Sequence, residues 1–428
     1  MNTSERATAL KYIDLYPITR FMDSRHIDYS RAAVKTETDI KVIFIGFDII
    51  SREILLASII NDQLPRICGD QILKKQVKYY ILSPDDPNAA IKDYYNYERE
   101  CLNISAQNRS AYFDLPDLPA QVEYIFADNQ KYCDFLSKLL QSDGKSIPLI
   151  RVIISKDAYS NKLLNKVLTL IHALNATEYS CVFAVNDKNK LPDNVIRINP
   201  NEKGDCSVFE RAAKERNRLY YEDSLGANAS AELLRKACEA ANNKWESADE
   251  LMRESNIFSA LGMRLKFNLL GLDLSSNDGI SISETEYYSI YAKGDMPEII
   301  KEYADGRKEI HYKLEYKPSL RFTLAYQEHM RWNAFMISRG YLPASKADCL
   351  DSTRGYGKSA ELRIHRNLAS FKGLIEYRRF IAENKFRENG GDINQLELQA
   401  DVIKYDYQLM DDAFRVLKRL GKSIGRKE

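Results

Sequence analysis

The sequence lacks any long apolar run and any regular arrangement of cysteines. Its most apolar stretches, residues 42–47 and 149–154, are far shorter than the roughly 20 residues that span a bilayer. The opening segment MNTSERATALKYID also lacks the apolar stretch of a secretory signal, so we expect a cytoplasmic protein. The seven cysteines are odd in number and form no C-x-x-C pair, which argues against a disulfide framework or a thiolate zinc site.

An excess of one charge sign is missing as well. The 62 Lys and Arg residues nearly balance the 61 Asp and Glu residues, so the whole chain has no electrostatic reason to bind nucleic acid or anionic lipid. The five histidines show no H-E-x-x-H spacing and do not accompany a cysteine pair, so we predict no metal site. The P-loop pattern and the H-R-D kinase loop are also absent, which removes the usual parts of phosphoryl transfer.

The composition is that of a globular protein. Hydrophobic residues make up 44% and charged residues 29% of 428 residues, which suffices for packed cores. At about 100 to 200 residues per domain, two domains are the leading expectation.

The first half of the chain alternates short apolar runs with helix-compatible segments. Such alternation predicts an α/β domain with a doubly wound parallel sheet, covered by helices on both faces. The clearest helix is expected over 160–174, and another over 52–63 with Ser51 as a plausible N-cap and Asp48 as a second candidate. The predicted strands cover residues 42–46, where glycine stops the run, 77–82, 122–126, 149–154 and 181–185, and residues 195–198 are the candidate for a sixth.

Ligands of such sheets bind beyond the carboxyl ends of the strands, where the first helix offers unpaired amides to a phosphate. In this chain that place is the segment from Gly46 to Arg52, which includes Phe47. The surrounding sequence VIFIGFDIISREIL resembles the start of the nucleotide-binding domain of bacterial potassium-uptake regulators, a TrkA-N-like Rossmann domain. The resemblance implies that Asp85 lies near the ribose hydroxyls of a nucleotide, and Asp128, after the third strand, is a further candidate.

The glycine-rich loop of that family is altered in this chain. The G-x-G-x-x-G positions hold Gly46, Asp48 and Ser51. The aspartate adds bulk and negative charge where a pyrophosphate approaches the backbone, while Arg52 could partly offset that charge. We therefore expect the fold to persist and ordinary NAD binding to be lost, with a nucleotide or dinucleotide still possible as a cofactor of unknown identity. A tight turn at Gly46 and a helix cap at Asp48 are the plain structural alternatives.

The alternation stops near residue 204, and helical spacing follows over 208–220, 231–241 and 248–270. We therefore divide the chain into an N-terminal segment (1–39), a nucleotide-binding domain (40–204) and a mostly α-helical domain (205–428). A Tyr-rich stretch at about 275–318 is expected to add a small hairpin or a partner surface.

A charged and aromatic cluster marks the second domain. Residues 328–332 read Glu-His-Met-Arg-Trp and are followed by Gly340-Tyr341. This pattern is similar to the RyR domain, named for repeats in ryanodine receptors and also found in bacterial proteins. Supporting matches over about residues 210–418 are Trp245, Ser255-Asn256, His365-Arg366-Asn367-Leu368 and Lys404-Tyr405-Asp406; the family usually has a proline at the position of Arg366.

The candidate ligand-binding residues of this domain carry charged, imidazole and indole groups suited to a phosphate, a ribose or a nucleobase. They are Glu328, His329, Arg331, Trp332 and His365. The alternative is a buried polar network of Glu328, His329 and Arg331 that fixes the helices, with Trp332 in the core.

Together the two resemblances imply a non-catalytic sensor of a small nucleotide-derived ligand, in a defence or ion-transport regulatory system. The resembled nucleotide-binding domains tend to pair, which implies a homodimer. Two alternatives stay open: an interaction scaffold that binds a protein partner, and a nucleotide-processing enzyme that uses Asp48, Asp128 and Asp157 as acids.

Overall fold

A six-stranded parallel sheet organises the first half of the chain. The computed structural model describes residues 4–84, 92–127, 131–141, 144–186, 191–201, 207–223, 225, 229–274, 281–293, 298–302, 308–311, 319–388 and 404–427. The sheet strands are β1 (Thr38–Ile45), β2 (Val77–Ser83), β3 (Gln121–Phe126), β4 (Ile147–Ile154), β5 (Ser180–Val185) and β6 (Val195–Ile198). All neighbouring strands are parallel and their order is β3-β2-β1-β4-β5-β6. This is the order of a Rossmann-like doubly wound fold, so the predicted α/β class and all six strands are confirmed.

Helices cover the sheet on both faces. The helices are α1 (Ser4–Leu15), α2 (Ile49–Asn61), α3 (Lys92–Gln107), α4 (Tyr132–Leu140) and α5 (Asn161–Ala173). The face that carries Ile43 and Val152 packs with α4 and α5. The opposite face, which carries Val42 and Phe44, belongs to a larger core with α1 and α2. Period-two alternation of the strand side chains between the two cores explains why the strands are apolar throughout.

The second half is mostly helical, as its spacing predicts. Its helices are α6 (Ser207–Asp223), α7 (Ala231–Glu246), α8 (Glu250–Leu261), α9 (Met263–Leu269), α10 (Glu284–Tyr291), α11 (Leu320–Ser338), α12 (Phe371–Glu388) and α13 (Lys404–Arg419). The prediction of one helix over 248–270 is wrong, because Gly262 separates α8 from α9.

Short strands and 3-10 turns complete the architecture. Antiparallel pairs join Ile27–Asp28 to Ala33–Val34, Leu64–Cys68 to Gln71–Lys75, Leu272–Leu274 to Ile424–Arg426, and Glu298–Glu302 to Lys308–His311. The last of these pairs confirms a hairpin within the Tyr-rich stretch. A three-stranded sheet holds Leu342–Pro343, Lys358–Ser359 and Ile364–His365, and 3-10 turns span Ile18–Phe21, Arg109–Ala111 and Ser352–Arg354.

One hydrophobic cluster connects the two halves. It contains Phe44 and Ile54 from the sheet side together with Phe258, Leu324 and Phe335 from the helical side. Helix α2 therefore lies between the sheet and helix α11, with which it is in contact.

An ion-pair cluster reinforces this junction. Glu254 of α8 pairs with Arg6 of α1 at 2.5 Å and with Arg339, next to the end of α11, at 2.8 Å. Helix α11, which carries the E-H-x-R-W residues, is thus linked through Glu254 of α8 to α1, a helix of the sheet.

No helix among the described residues is long and apolar enough to cross a membrane. The cysteines in the described part of the chain are free thiols: Cys68, Cys101, Cys133, Cys181, Cys238 and Cys349.

Candidate ligand-binding site

The turn after the first strand is filled by protein atoms. Gly46 has φ +75°, and a Cβ atom built on it would lie 2.0 Å from Ser155 Oγ and 2.8 Å from Asp157 Oδ1. The loop after β4 therefore packs directly against the turn where the G-x-G-x-x-G family begins its phosphate loop. Glycine is required here by both the left-handed backbone and the close approach.

Asp48 already binds the amides at this sheet edge. Its Oδ1 accepts a hydrogen bond from Ser51 N at 2.8 Å, and its Oδ2 accepts one from Lys156 N at 2.9 Å. Asp48 is the N-cap of α2, so the prediction of Ser51 as N-cap is wrong and the second candidate is confirmed. A carboxylate thus occupies the helix terminus that would attract a phosphate.

The structure describes some of the other residues predicted at this edge and leaves two of them out. The Arg52 guanidinium lies 5.9 Å from the centre of the Phe47 ring. Asp85 and Asp128 lie outside the described residues.

A cavity of about 560 Å³ opens among the helices of the second half. It is bounded by α6, α8, α11, α13 and the loop that contains Lys358 and His365. The structure brings together all five residues predicted for this domain, since each of them lines the cavity: Glu328, His329, Arg331, Trp332 and His365.

Glu328 is the buried anion of the site. Two nearly parallel hydrogen bonds join it to Arg331, with Nη2 to Oε1 at 2.9 Å and Nε to Oε2 at 3.0 Å. Lys266 Nζ donates to Oε2 at 2.8 Å, and Ser259 Oγ donates to Oε1 at 2.6 Å. Burial alone would raise the pKa of Glu328, but the charges of Arg331 and Lys266 outweigh it and lower the pKa. Glu328 is therefore ionised at neutral pH.

The cations around Glu328 outnumber it. A third cation, Arg216, donates from Nη1 to Ser259 Oγ at 2.7 Å and from Nη2 to the Tyr405 carbonyl at 2.9 Å. Two other carboxylates lie nearby. Asp412 pairs with Arg415, and burial raises the pKa of Asp406, which lies 3.5 Å from His329 Nδ1.

One donor of this cluster lacks a partner. Arg331 is 1% exposed, and its Nη1 has no hydrogen-bond acceptor among the described residues. An unpaired buried guanidinium nitrogen carries a desolvation cost that an incoming acceptor would offset.

Trp332 forms an aromatic wall between two imidazoles. Its ring lies 6.0 Å from the His329 ring, nearly parallel to it, and 4.9 Å from the His365 ring, which meets it edge-on. Trp332 is only partly buried, so it is not a fully enclosed core residue. A planar ligand ring could stack on such a surface.

The two histidines have different hydrogen-bond states. His329 Nε2 donates to the Ala369 carbonyl at 2.9 Å, whereas His365 Nδ1 accepts from Asn367 N at 3.1 Å. Burial and the nearby charges of Lys358 and Arg366 lower the pKa of His365 to about 3. His365 is therefore neutral at pH 7, with its proton on Nε2, and is a hydrogen-bond donor rather than a cation.

Several cavity residues were not selected from the sequence as site residues. The most informative are Arg216, Lys358, Asn367 and Asp406, together with Lys266, which does not line the cavity but donates to Glu328 in its wall. Arg216 and Lys358 carry no local motif, and Lys266 looks like an ordinary helix-surface lysine until packing buries it. Asn367 and Asp406 belong to the segments that support the RyR resemblance, and this was the one signal that could have found them.

Two possible chemical motifs do not form sites. Residues 421–425 have the G-x-S-x-G spacing, but Ser423 follows helix α13 and precedes the strand Ile424–Arg426. This reverses the strand-serine-helix order of a nucleophile elbow. Within the described ranges, no group of three or more His, Cys, Asp or Glu side chains could hold a metal ion.

Comparisons with known proteins found no matching family model, no matching curated protein and no matching solved structure. The cavity's own chemistry therefore has to carry the functional argument.

Proposed function

We propose that this protein is a non-catalytic sensor that binds a small nucleotide-derived ligand in the cavity beside Trp332. Ligand pockets usually enclose about 300 to 1,000 Å³, and this cavity has about 560 Å³. Its wall combines cations for a phosphoryl group with an aromatic face for a base, which are the two features that a nucleotide requires.

The observation that carries the proposal is that Arg331 lines this cavity while its buried Nη1 has no acceptor among the described residues. Most buried donors in proteins have an acceptor. Glu328 accepts from Nε and Nη2 of Arg331 and leaves Nη1 without an acceptor, which an anionic ligand group would supply.

The carboxyl edge of the sheet is less suited to this ligand than the cavity is. Asp48 holds the amides at the start of α2, and the Ser155 side chain fills the space above Gly46. We therefore assign the ligand to the cavity. The sheet then serves as the element that senses binding, through the contact of α2 with α11 and the pairs of Glu254 with Arg6 and Arg339.

The sequence provides its own reporter, because Trp245 and Trp332 are its only two tryptophans. In the variant Trp245→Phe, the remaining fluorescence comes from Trp332. Titration with a panel of mononucleotides, dinucleotides, ADP-ribose and cyclic nucleotides is expected to quench this fluorescence, and calorimetry of the unmodified protein should give the same affinity.

A matched pair of variants tests the location. Arg216 lines the cavity, whereas Arg218 on the same helix pairs with Glu215 outside it. We expect Arg216→Gln to weaken binding about tenfold or more, on the basis of about 1.5 to 3 kcal/mol for a charged hydrogen bond, and Arg218→Gln to leave it unchanged. Absence of fluorescence change, heat and thermal shift across the panel would refute ligand sensing, and a stoichiometric protein partner recovered from the source cell would then support the scaffold alternative.

A further inference from the structure

The loop that borders the cavity contains a backbone conformation that needs explanation. Gly355, Tyr356 and Gly357 all have left-handed φ values, of +60°, +53° and +76°. Glycine adopts this conformation freely, but tyrosine does so only with strain. The Tyr356 side chain is 54% exposed, so its packing does little to offset that strain.

The surrounding contacts hold this turn in place. A Cβ atom at Gly355 would lie 2.3 Å from the Lys358 carbonyl oxygen, and one at Gly357 would lie 2.8 Å from Cys349 Sγ. Arg366 N donates to the Gly357 carbonyl at 2.7 Å, and Arg366 Nη1 donates to the Tyr356 carbonyl at 3.2 Å. Strained residues that their surroundings fix in this way cluster at binding sites.

The turn delivers Lys358 to the mouth of the cavity. Lys358 is exposed, lines the cavity, and forms no ion pair with any residue that the structure describes. It is the cross-strand partner of His365 in the short sheet. Directly opposed residues in such a pair have Cα atoms about 4.5 to 5.5 Å apart, so Lys358 is adjacent to His365.

These positions define a sequence of groups from the interior to the mouth. Arg331, fully buried, and Trp332, partly buried, both line the cavity from α11; the centres of the Trp332 and His365 rings lie 4.9 Å apart; and Lys358 pairs with His365 across the short sheet at the surface. Positive charge thus stands at both ends of a wall formed by an indole and a neutral imidazole. A ligand that matches it has two anionic groups with an uncharged moiety between them.

We propose that Lys358 is a specificity-determining residue that selects a nucleoside with phosphoryl groups on two separate hydroxyls, one held at Arg331 and the other at Lys358. This inference rests on the proposed function. It assigns nucleoside 3′,5′-bisphosphates and larger nucleotides with separated phosphates to the cavity, in preference to a 5′-monophosphate or an adjacent 5′-diphosphate. Tyr356 acts as a positioning residue through the turn that carries Lys358.

The test compares three ligands, each as the adenosine and the guanosine compound: the 3′,5′-bisphosphate, the 5′-monophosphate and the 5′-diphosphate. Affinities are measured by calorimetry on the full chain. We expect the bisphosphate of the preferred base to bind about tenfold more tightly than the monophosphate, the scale of one partly exposed charged hydrogen bond. The diphosphate should show no comparable gain, because its two phosphates are joined to each other and are not separated by the nucleoside.

Four variants locate the effect. Lys358→Ala should abolish the tenfold gain, so that the bisphosphate and the monophosphate bind with similar affinity, and Lys358→Arg should retain the gain. Lys372→Ala removes another exposed lysine, outside the cavity, and is the matched control. Tyr356→Gly relaxes the turn and should reduce bisphosphate affinity severalfold without changing monophosphate affinity. Unchanged thermal unfolding midpoints would show that all four proteins are folded.

The outcomes separate this inference from the proposed function. If monophosphates bind but the bisphosphate gains nothing, if the diphosphate gains as much, or if Lys358→Ala keeps the gain, the role of Lys358 is overturned while ligand sensing stands. If Tyr356→Gly has no effect on bisphosphate binding, the positioning role of the turn is overturned. If none of the six compounds binds, both proposals fail.

Discussion

Glu328 and Arg331 lie one helical turn apart on α11 and form a two-pronged ion pair, at 2.9 and 3.0 Å, inside the protein rather than on its surface. The same carboxylate also meets Lys266, which has no exposed side-chain surface. One residue therefore neutralises charge contributed by two different helices, α9 and α11. The arrangement makes the helices dependent on Glu328 while it leaves Arg331 with a spare donor.

Removal of the negative charge of Glu328 should destabilise the folded protein. Glu328→Gln keeps the shape of the side chain but leaves Arg331 and Lys266 without a buried counter-charge. We expect a loss of about 3 to 5 kcal/mol in the free energy of unfolding, measured by urea denaturation. The control is Glu286→Gln, whose pair with Arg426 is exposed and should contribute at most about 1 kcal/mol. Equal effects of the two substitutions would contradict a central role for Glu328.

The sheet was predictable because its strands carry a strong local signal. Apolar runs such as 149–154 are buried on both faces, and glycine stops the first run at the turn. The hairpin Leu64–Cys68 with Gln71–Lys75 was not predicted, although the Gly69-Asp70 pair at its tip is a turn signal. The break between α8 and α9 was also missed, because glycine is tolerated within a helical pattern and only packing decides where the chain turns.

The candidate site was predictable only where side chains cluster in sequence. Four of its predicted residues lie within five positions of α11, so helical spacing places them together. Arg216 and Lys358 reach the cavity from separate elements, and Lys266 reaches Glu328 in its wall from a third. Nothing local distinguishes them from solvated surface residues, so their roles follow only from tertiary packing.

The substitution Gly46→Ala tests how closely the loop after β4 packs against the turn at Gly46. Gly46→Ala must both keep a left-handed φ and push a methyl group to 2.0 Å from Ser155 Oγ. We expect a loss of roughly 3 kcal/mol or more, because a strain of about 1 to 2 kcal/mol adds to the displacement of the loop. Gly69→Ala has nearly the same φ, +61°, but no atom within 4 Å of the new methyl group, and should show the strain alone. Thermal or urea unfolding measures both, and equal losses would mean that the loop yields without cost.

His365 should make the protein less stable in mild acid. Its pKa of about 3 in the folded state lies below its ordinary value of 6.5, so the unfolded chain binds the proton more readily. Stability contributed by neutral His365 is complete above pH 6.5 and is lost as the pH falls toward 3. Between pH 7 and pH 5 the loss is about 2 kcal/mol.

The variant His365→Asn isolates this effect. Its amide oxygen can accept the bond from Asn367 N, but it does not titrate. Urea unfolding of this variant should show about 2 kcal/mol less acid destabilisation than the unmodified protein between pH 7 and pH 5. His172→Asn, at an exposed position of α5, is the control and should keep the original profile. An identical pH profile for His365→Asn and the unmodified protein would count against a neutral, buried imidazole.

Asp62, at the end of α2, should act in the opposite direction. It follows α2, is 3% exposed, and accepts a hydrogen bond from Tyr79 Oη at 3.0 Å. Burial raises the pKa of Asp62 from 3.8 to about 6, although the charge of Arg151 opposes this. The folded state therefore prefers the protonated acid, and stability is lost as the pH rises from about 4 through 6.

Asp62→Asn replaces the acid by a neutral group of the same shape. Relative to the unmodified protein, the variant should gain about 2.4 kcal/mol in the free energy of unfolding between pH 4 and pH 7, because it no longer ionises a buried group. Asp70→Asn, at the exposed tip of the hairpin, serves as the control, and its free energy of unfolding should depend on pH as that of the unmodified protein does. Because His365 and Asp62 act with opposite signs over overlapping pH ranges, the unmodified protein can show a flat profile that hides both effects. The free energy of unfolding of the double variant, Asp62→Asn with His365→Asn, must then change little with pH. In each single variant it must change with pH, and the two changes must have opposite signs. Two single variants that both stay flat would show that neither buried group couples proton binding to folding.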